Sequence, residues 1–238
     1  RVLVEPLNGL PGMLSEVIEK SSLQSRLPQA ELVAGEDTCA IVLRVLDEPT
    51  KKDLALFSDV ASKWEIDIYL QRGGPGSVLS LNPKTAKQLS YSLDDFDVLL
   101  RFNPIDFIQV NATVNAALVR QVMDLLQVQS TDRVLDLYCG IGNFSLPLAR
   151  HASEVLGVEG DAGLVARAAS NARLNGLDNT SFVACDLNQS EWRFMSEAWD
   201  IVLLDPPRSG AQSIIQQMSS VAPRYVAYIS CHPATLAR

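Results

Sequence analysis

The run R-V-L-D-L-Y-C-G-I-G-N-F, Arg133 to Phe144, decides the fold. Its first six residues are mostly apolar, the pattern of a short strand buried on both faces of a parallel sheet. Gly140 and Gly142 follow in G-x-G spacing. They predict a tight turn in which backbone can approach a ligand closely, leading into a helix. Downstream the same alternation continues. E-V-L-G-V-E (154–159) reads as a second strand, and 161–176 as a helix with Leu164, Ala168 and Ala172 at i, i+4 spacing, ending at Gly176. T-S-F-V-A-C-D, D-I-V-L-L-D-P-P and R-Y-V-A-Y-I-S-C read as three more strands, with a helix in S-I-I-Q-Q-M-S-S-V. Upstream, N-A-T-V-N-A-A-L-V-R-Q-V-M-D-L-L predicts a helix with Asn111 as its N-cap. Strand–helix alternation implies right-handed crossovers and an α/β fold, a doubly wound, mostly parallel, Rossmann-like sheet. Ligands in such sheets bind beyond the carboxyl ends of the strands.

The first part of the chain has a different rhythm. It predicts a small α+β domain over residues 1–95, ahead of the α/β domain at 96–238. A helix is expected near L-S-E-V-I-E-K-S-S-L, and two strands, A-E-L-V-A-G and C-A-I-V-L-R-V-L-D-E, around a turn at Glu36-Asp37. Thr50 predicts the cap of a helix through K-K-D-L-A-L-F-S-D-V-A-S-K-W. D-I-Y-L-Q is a further strand, R-G-G-P-G-S a loop, and L-S-Y-S-L with V-L-L-R-F a hairpin around Asp94-Asp95. Nothing here forms a catalytic constellation, and a scaffold domain is the expectation.

Composition narrows the class. The chain has 238 residues, 47% hydrophobic and 20% charged, enough apolar matter for a real core. No apolar run is long enough for a transmembrane helix and no signal peptide is visible, so no membrane partner is expected. Acidic residues outnumber basic ones, 28 to 20, for a formal charge of −8. That argues against a sequence-blind polyanion binder but leaves room for a local basic patch. Cys39, Cys139, Cys185 and Cys231 are widely spaced, with no C-x-x-C. Neither a disulfide scaffold nor a metal site is suggested, and a reducing cytoplasmic setting fits.

The strand ends carry the candidate chemistry. Glu159, after the second strand, stands where a carboxylate can bond a ribose diol, in either a dinucleotide or an adenosyl cofactor; the plain alternative is a solvated loop carboxylate. Asp186 is placed to reach an adenine amino group, or is an ordinary loop residue. In D-P-P-R, Asp205 to Arg208, two prolines fix the backbone that holds Asp205. Cys231 is either a small buried hydrophobe or a nucleophile. The other three cysteines read as structural.

Taken together, these residues resemble the RNA uracil-5 methyltransferases. F-I-Q-V-N (107–111), L-D-L-Y-C-G-I-G-N-F, N-A-R-L-N-G (171–176), L-L-D-P-P-R-S-G-A and S-C-H-P-A-T-L-A-R fall in the family's order from about residue 100 to 238. D-F-I-Q-V-N-A with V-E-G is most similar to the type that methylates 23S ribosomal RNA. The resemblance implies an S-adenosylmethionine pocket lined by Gln109, Tyr138, Gly140, Asn143, Glu159, Asp186 and Asp205, with S-adenosylhomocysteine as product. It implies Cys231 as the nucleophile that adds to uracil C6, and RNA as the partner, with no obligate protein partner. Arg208 takes no firm role. The family's usual S-C-N-P is S-C-H-P here; His232 reads as a tolerated loop substitution rather than a base, and His151 as a surface residue. The resemblance also implies parts not found in this sequence. These are a general-base glutamate past Arg238, an N-terminal RNA-binding domain, and cysteines for a 4Fe–4S cluster. The chain is therefore expected to be a fragment, truncated within the methyltransferase domain, that binds cofactor with little or no turnover. Its fifth strand should then be exposed or paired with another chain.

Other readings compete. A tRNA uridine is an alternative substrate, and a cofactor-binding fragment without turnover an alternative role. An amino methyltransferase would carry an aromatic residue where D-P-P-R has Arg208. A NAD-dependent oxidoreductase would need a third glycine after Gly142.

Overall fold

The structure, a computed structural model, describes residues 7–188 and 192–231, with backbone alone at 219 and 220. The chain divides into two compact units. One holds residues up to Tyr91 together with Arg101–Asp106; the other holds Ser92–Leu100 and everything from Phe107.

In the first unit, α1 (Leu10–Lys20) precedes β1 (Gln29–Ala34) and β2 (Cys39–Arg44), which pair antiparallel. The helix α2 (Lys51–Trp64) crosses over to β3 (Asp67–Gln71), parallel to β2, and β4 (Val78–Ser80) closes the sheet in the order β1-β2-β3-β4. C-A-I-V-L of β2 is apolar throughout because it is central and covered on both faces. Leu10, Ile41, Leu43, Phe57 and Ile68 are buried together as this unit's core. Thr50 caps α2 as expected. Its hydroxyl accepts the Asp53 N–H at 3.2 Å while Asp53 Oδ2 accepts the Thr50 N–H at 2.8 Å, a reciprocal capping box. β5 (Leu89–Leu93) and β6 (Val98–Phe102) form a two-stranded hairpin.

The second unit holds the elements the glycine turn announced. They are α3 (Ala112–Leu126), β7 (Arg133–Leu137), α4 (Ser145–Ala149), β8 (Glu154–Glu159), α5 (Ala162–Leu174), β9 (Thr180–Ala184), β10 (Ile201–Leu204), α6 (Gln212–Val221) and β11 (Tyr225–Tyr228). The five strands are all parallel, in the order β11-β10-β7-β8-β9. The chain moves outward from β7 to β9 on one side, then returns to lay β10 on the other side of β7. That reversal is the topological switch point where α/β sheets bind ligands. Leu135, Leu137, Val158, Val202 and Leu204 are buried on the sheet faces.

One close approach fixes the centre of this sheet. A Cβ on Gly157 would stand 2.5 Å from the Phe182 ring and 2.9 Å from Cys139 Sγ. The glycine in E-V-L-G-V-E lets the β9 aromatic and the turn cysteine lie flat on β8. At the sheet's edge, β11 leaves Tyr225 and Val226 exposed, at 41% and 45%. No helix among the described residues is long and apolar enough to cross a membrane.

Candidate active site at the carboxyl ends of the strands

The switch point gathers a set of carboxyl groups. Asp136 lies one residue before the end of β7, in register with Leu203 of β10 and Gly157 of β8. It is fully buried, and its Oδ2 accepts a short hydrogen bond from the Ser145 hydroxyl at the start of α4. Its Oδ1 is buried with no partner among the described residues. Burial pushes this carboxyl up to about 7; the Ser145 hydroxyl opposes that, and the charges of Asp205 and Glu159 add to it. Asp205 follows β10, half-buried, with its N–H on Leu137 O at 3.3 Å, and burial raises its carboxyl to about 6.

Glu159 ends β8 and braces the glycine turn. Its Oε2 accepts the Gly140 N–H at 3.1 Å, and its Oε1 accepts the Gly160 and Asp161 N–H groups at 2.7 and 3.2 Å. The turn itself is in unusual backbone territory. Tyr138, Gly140 and Gly142 all have positive φ, at 65°, 54° and 96°. Glycine accepts this readily; tyrosine does so at a cost that surrounding structure must offset. The Val158 carbonyl does so by accepting both the Tyr138 and Cys139 N–H groups, at 2.8 and 3.1 Å. A Cβ at Gly140 would meet nothing within 4 Å, so the turn fronts open space.

Tyr138 is half-buried. Burial raises its phenol, and the neighbouring Tyr228, Glu159 and Asp186 push it the same way. Those causes bring residues at or just past the carboxyl ends of β7, β8, β9 and β11 to one end of the sheet. Asp186 itself is exposed, with Oδ1 accepting the Asn188 main-chain and side-chain N–H groups at 2.9 and 3.1 Å.

The remaining candidates are placed differently. Asn143 exchanges two hydrogen bonds of 2.9 Å with Asn115, a buried residue of α3, so its amide fastens the turn to that helix. Gln109 is half-buried ahead of α3, and no hydrogen bond among the described residues joins it to the carboxyl cluster. Cys231 is exposed, three residues past β11 rather than at its end, because pairing with β10 stops at Tyr228. Cys39 and Cys139 are buried; burial, then the charges of Asp136 and Glu159, pushes the Cys139 thiol well up, away from thiolate chemistry. His151 is exposed just past α4. His232 and the rest of S-C-H-P-A-T-L-A-R after Cys231 lie outside the described residues.

Sequence reasoning passed over Asp136, Ser145 and Asn115. Asp136 left a signal, a charge inside an otherwise apolar strand. Asn115 left none, since its partner is 28 residues away and the pairing exists only in the fold.

Comparison with known proteins bears on this site. The family model described as tRNA (Uracil-5-)-methyltransferase matches residues 7–238. A relative from Methylococcus capsulatus, named 23S rRNA (uracil(1939)-C(5))-methyltransferase RlmD, is 46% identical over 226 residues, covering 94% of this chain and 51% of the relative. One of the same name from Hahella chejuensis is 41% identical over 244 residues, covering all of this chain and 55% of the relative. The chain thus spans about half the length of the curated relatives it matches. Among solved structures, Pyrococcus abyssi tRNA (uracil-54, C5)-methyltransferase in complex with S-adenosyl-L-homocysteine superposes with a TM-score of 0.72 at 22% identity. The match covers 95% of this chain and 58% of that one, and it shows the fold.

Proposed function

Because the chain belongs to the tRNA (uracil-5-)-methyltransferase family, we propose that it forms the catalytic portion of an enzyme that methylates C5 of a uridine in RNA. The RNA is 23S ribosomal RNA, the methyl donor S-adenosylmethionine, and the setting cytoplasmic. The observation that carries this reading is the 46% identity to a 23S ribosomal RNA uracil-C5 methyltransferase over 94% of the chain. The family description names tRNA, which keeps a tRNA uridine as the second reading. A 4Fe–4S cluster, which the resemblance implies, would need cysteines other than the four of this sequence, which are widely spaced. Among the described residues, no three His, Cys, Asp or Glu stand together as a metal site.

The strand-end residues suit a cationic adenosyl donor. The cluster is acidic, Asp136 Oδ1 is an unmatched acceptor, and the glycine turn opens on free space. In this reading Glu159 takes the ribose hydroxyls and Asp186 the adenine amino group. Tyr138, Gly140, Asp205 and Gln109 line the remainder, and Asn143 holds the turn in place. S-adenosylmethionine, when bound, supplies an electrophilic methyl group.

Uracil C5 is too weak a nucleophile to take that methyl unaided. The Cys231 thiolate adds to C6, and the C5=C6 electron pair moves to C5 as an enolate conjugated with the O4 carbonyl. C5 then bonds to the methyl carbon as the methyl–sulfur bond breaks, the electron pair of that bond staying on sulfur and S-adenosylhomocysteine leaving. A base removes the C5 proton, the double bond re-forms, and the thiolate leaves with the C6–S electron pair. Only the thiolate is competent, and the exposed position of Cys231 leaves it open to an incoming base. The uridine must be unstacked for C6 to be reached.

The test is covalent trapping. Fluorine at C5 cannot leave as a proton, so the adduct stalls before any general base is needed. Mixed with S-adenosylmethionine and 5-fluorouridine-substituted ribosomal RNA, the chain should form an RNA adduct mapped to Cys231 by mass spectrometry. Cys231→Ala should form none. No adduct, while S-adenosylhomocysteine measurably binds, would sink the uracil mechanism.

A further inference from the structure

The first unit contains a cavity of about 450 Å³ that the methyl-transfer chemistry does not use. Its wall is made by Tyr69 of β3, the Pro75-Gly76 turn, Lys87 and Gln88 before β5, and Asn103 after β6. That volume is in the range of small-molecule sites. We propose that this cavity is a subsite for one nucleotide of single-stranded RNA, remote in sequence from the strand ends that carry methylation. The proposal rests on the RNA reading above and extends it to this unit.

Three independent features point to such a ligand. The first is charge. From Ile68 through Leu93 the chain has no Asp or Glu, yet it carries Arg72, Lys84 and Lys87. In a chain of formal charge −8 this is a local reversal of sign, and the cavity wall is drawn largely from it. Arg72 is held by Glu48, but among the described residues Lys84 and Lys87 form no ion pair. An unpaired ammonium at the wall is suited to a phosphate.

The second is the donor and acceptor set. No carboxylate lines the cavity, which disfavours a metal ion or a cationic ligand. Two acids bonded to lining residues are turned onto backbone: Asp67 Oδ2 accepts the Lys87 N–H at 2.9 Å, and Asp106 Oδ2 accepts the Asn103 N–H at 2.6 Å. Asn103 brings an amide and Gln88 an amide oxygen, which can bond base edges, and Tyr69 brings an aromatic ring. Such groups are what single-stranded RNA recognition uses.

The third is that the wall is built. Ser77 Oγ accepts the Gly73 N–H at 2.8 Å and donates to Gly74 O at 2.7 Å, closing the glycine-rich turn on itself. Gln88 Nε2 donates to Phe102 O at 2.9 Å, fixing the opposite side across the hairpin.

The experiment uses the 238-residue chain and a fluorescein-labelled single-stranded octaribonucleotide carrying 4-thiouridine. Lys87→Glu should weaken binding about tenfold, and Gly76→Leu should weaken it comparably by filling the space. A Cβ at Gly76 meets no atom within 4 Å, so the first carbon of the new side chain has room. Far-ultraviolet dichroism and S-adenosylhomocysteine binding should match wild type in both. Photocrosslinks should map to peptides covering 69–78, 84–89 or 102–105. Wild-type affinity in both variants overturns the subsite, and so does equal affinity for a polyglutamate peptide of matched charge. Crosslinks confined to residues after 106 also overturn it while leaving the RNA reading standing. No RNA binding at all, with S-adenosylhomocysteine bound, defeats both.

Discussion

Asp136 is the residue whose protonation the fold controls most directly. It has no exposure, one hydroxyl partner and two carboxyl neighbours, and its carboxyl is raised to about 7. In the unfolded chain it ionises in the ordinary carboxylate range. A carboxyl raised on folding stabilises the protein fully below its unfolded value, and that contribution is lost as pH rises through the folded value. Asp205, raised to about 6, acts in the same sense at slightly lower pH. Between pH 6 and 8 the wild-type chain should therefore lose on the order of 1 kcal/mol through Asp136. Asp136→Asn can still accept from Ser145 but has no proton to lose. A pH series of thermal melts should show wild type falling across this window and the variant falling clearly less, with only the Asp205 contribution left at its lower end. Parallel slopes would mean that Asp136 is ionised throughout. The strain at Tyr138 belongs to the same scale. A tyrosine at φ 65° in the glycine turn was not legible, because Y-C-G-I-G gives no sign of which residue takes the left-handed conformation.

Among the elements, α2 shows how one side chain can hold a junction. Asp53 is 1% exposed, and its two oxygens take four hydrogen bonds. They come from the Ser22 N–H and hydroxyl at 2.8 and 2.6 Å, and from the Thr50 N–H and hydroxyl at 2.8 and 2.6 Å. Burial alone would raise its carboxyl, but the Ser22 and Thr50 bonds outweigh it and hold the group well below the usual range. Asp53→Ala should cost about 2 kcal/mol, since it removes the cap together with the charge-assisted hydrogen bonds to Ser22 and Thr50. Chemical denaturation followed by α2-sensitive dichroism checks this, and a loss under 1 kcal/mol would show that water replaces the carboxylate at no penalty. A depressed carboxyl works in the opposite sense to Asp136: this contribution is present above its unfolded value and is lost as pH falls further. The T-x-x-D spacing made this cap legible. Other boundaries were less so. β4 escaped notice because its three residues lie between P-G-S and an N-P turn. The helix that the glycine turn leads into, α4, is only five residues long. The expected third strand overran, since pairing of β9 with β8 stops at Ala184, before Cys185 and Asp186.

At the scale of the whole chain, a net charge of −8 conceals an uneven distribution. Arg26, Arg72, Arg120, Arg133, Arg150 and Arg224 are each engaged by carboxylates. The parallel sheet and its strand-end carboxyls were legible because an apolar strand, a glycine turn and an acid at the next strand end are local patterns. The positive stretch was equally plain in the letters, but that it surrounds a cavity depends on β3, β4 and the hairpin coming together. This distribution fixes how RNA binding should respond to salt. Each phosphate neutralised on a single strand contributes about −0.7 to the slope of log K against log salt. With six arginines held by carboxylates, and Lys87 at the cavity wall and Lys84 three residues before it in no ion pair among the described residues, the cavity should engage about two or three phosphates. The slope for a single-stranded octaribonucleotide should then lie near −1.5 to −2 between 50 and 300 mM salt. Lys87→Glu should make it shallower by about one contact. Fluorescence anisotropy at five salt concentrations is sufficient to read both. A slope steeper than about −4 would require a longer basic track than these cations can form, and would move RNA recognition by this chain away from the 68–93 segment.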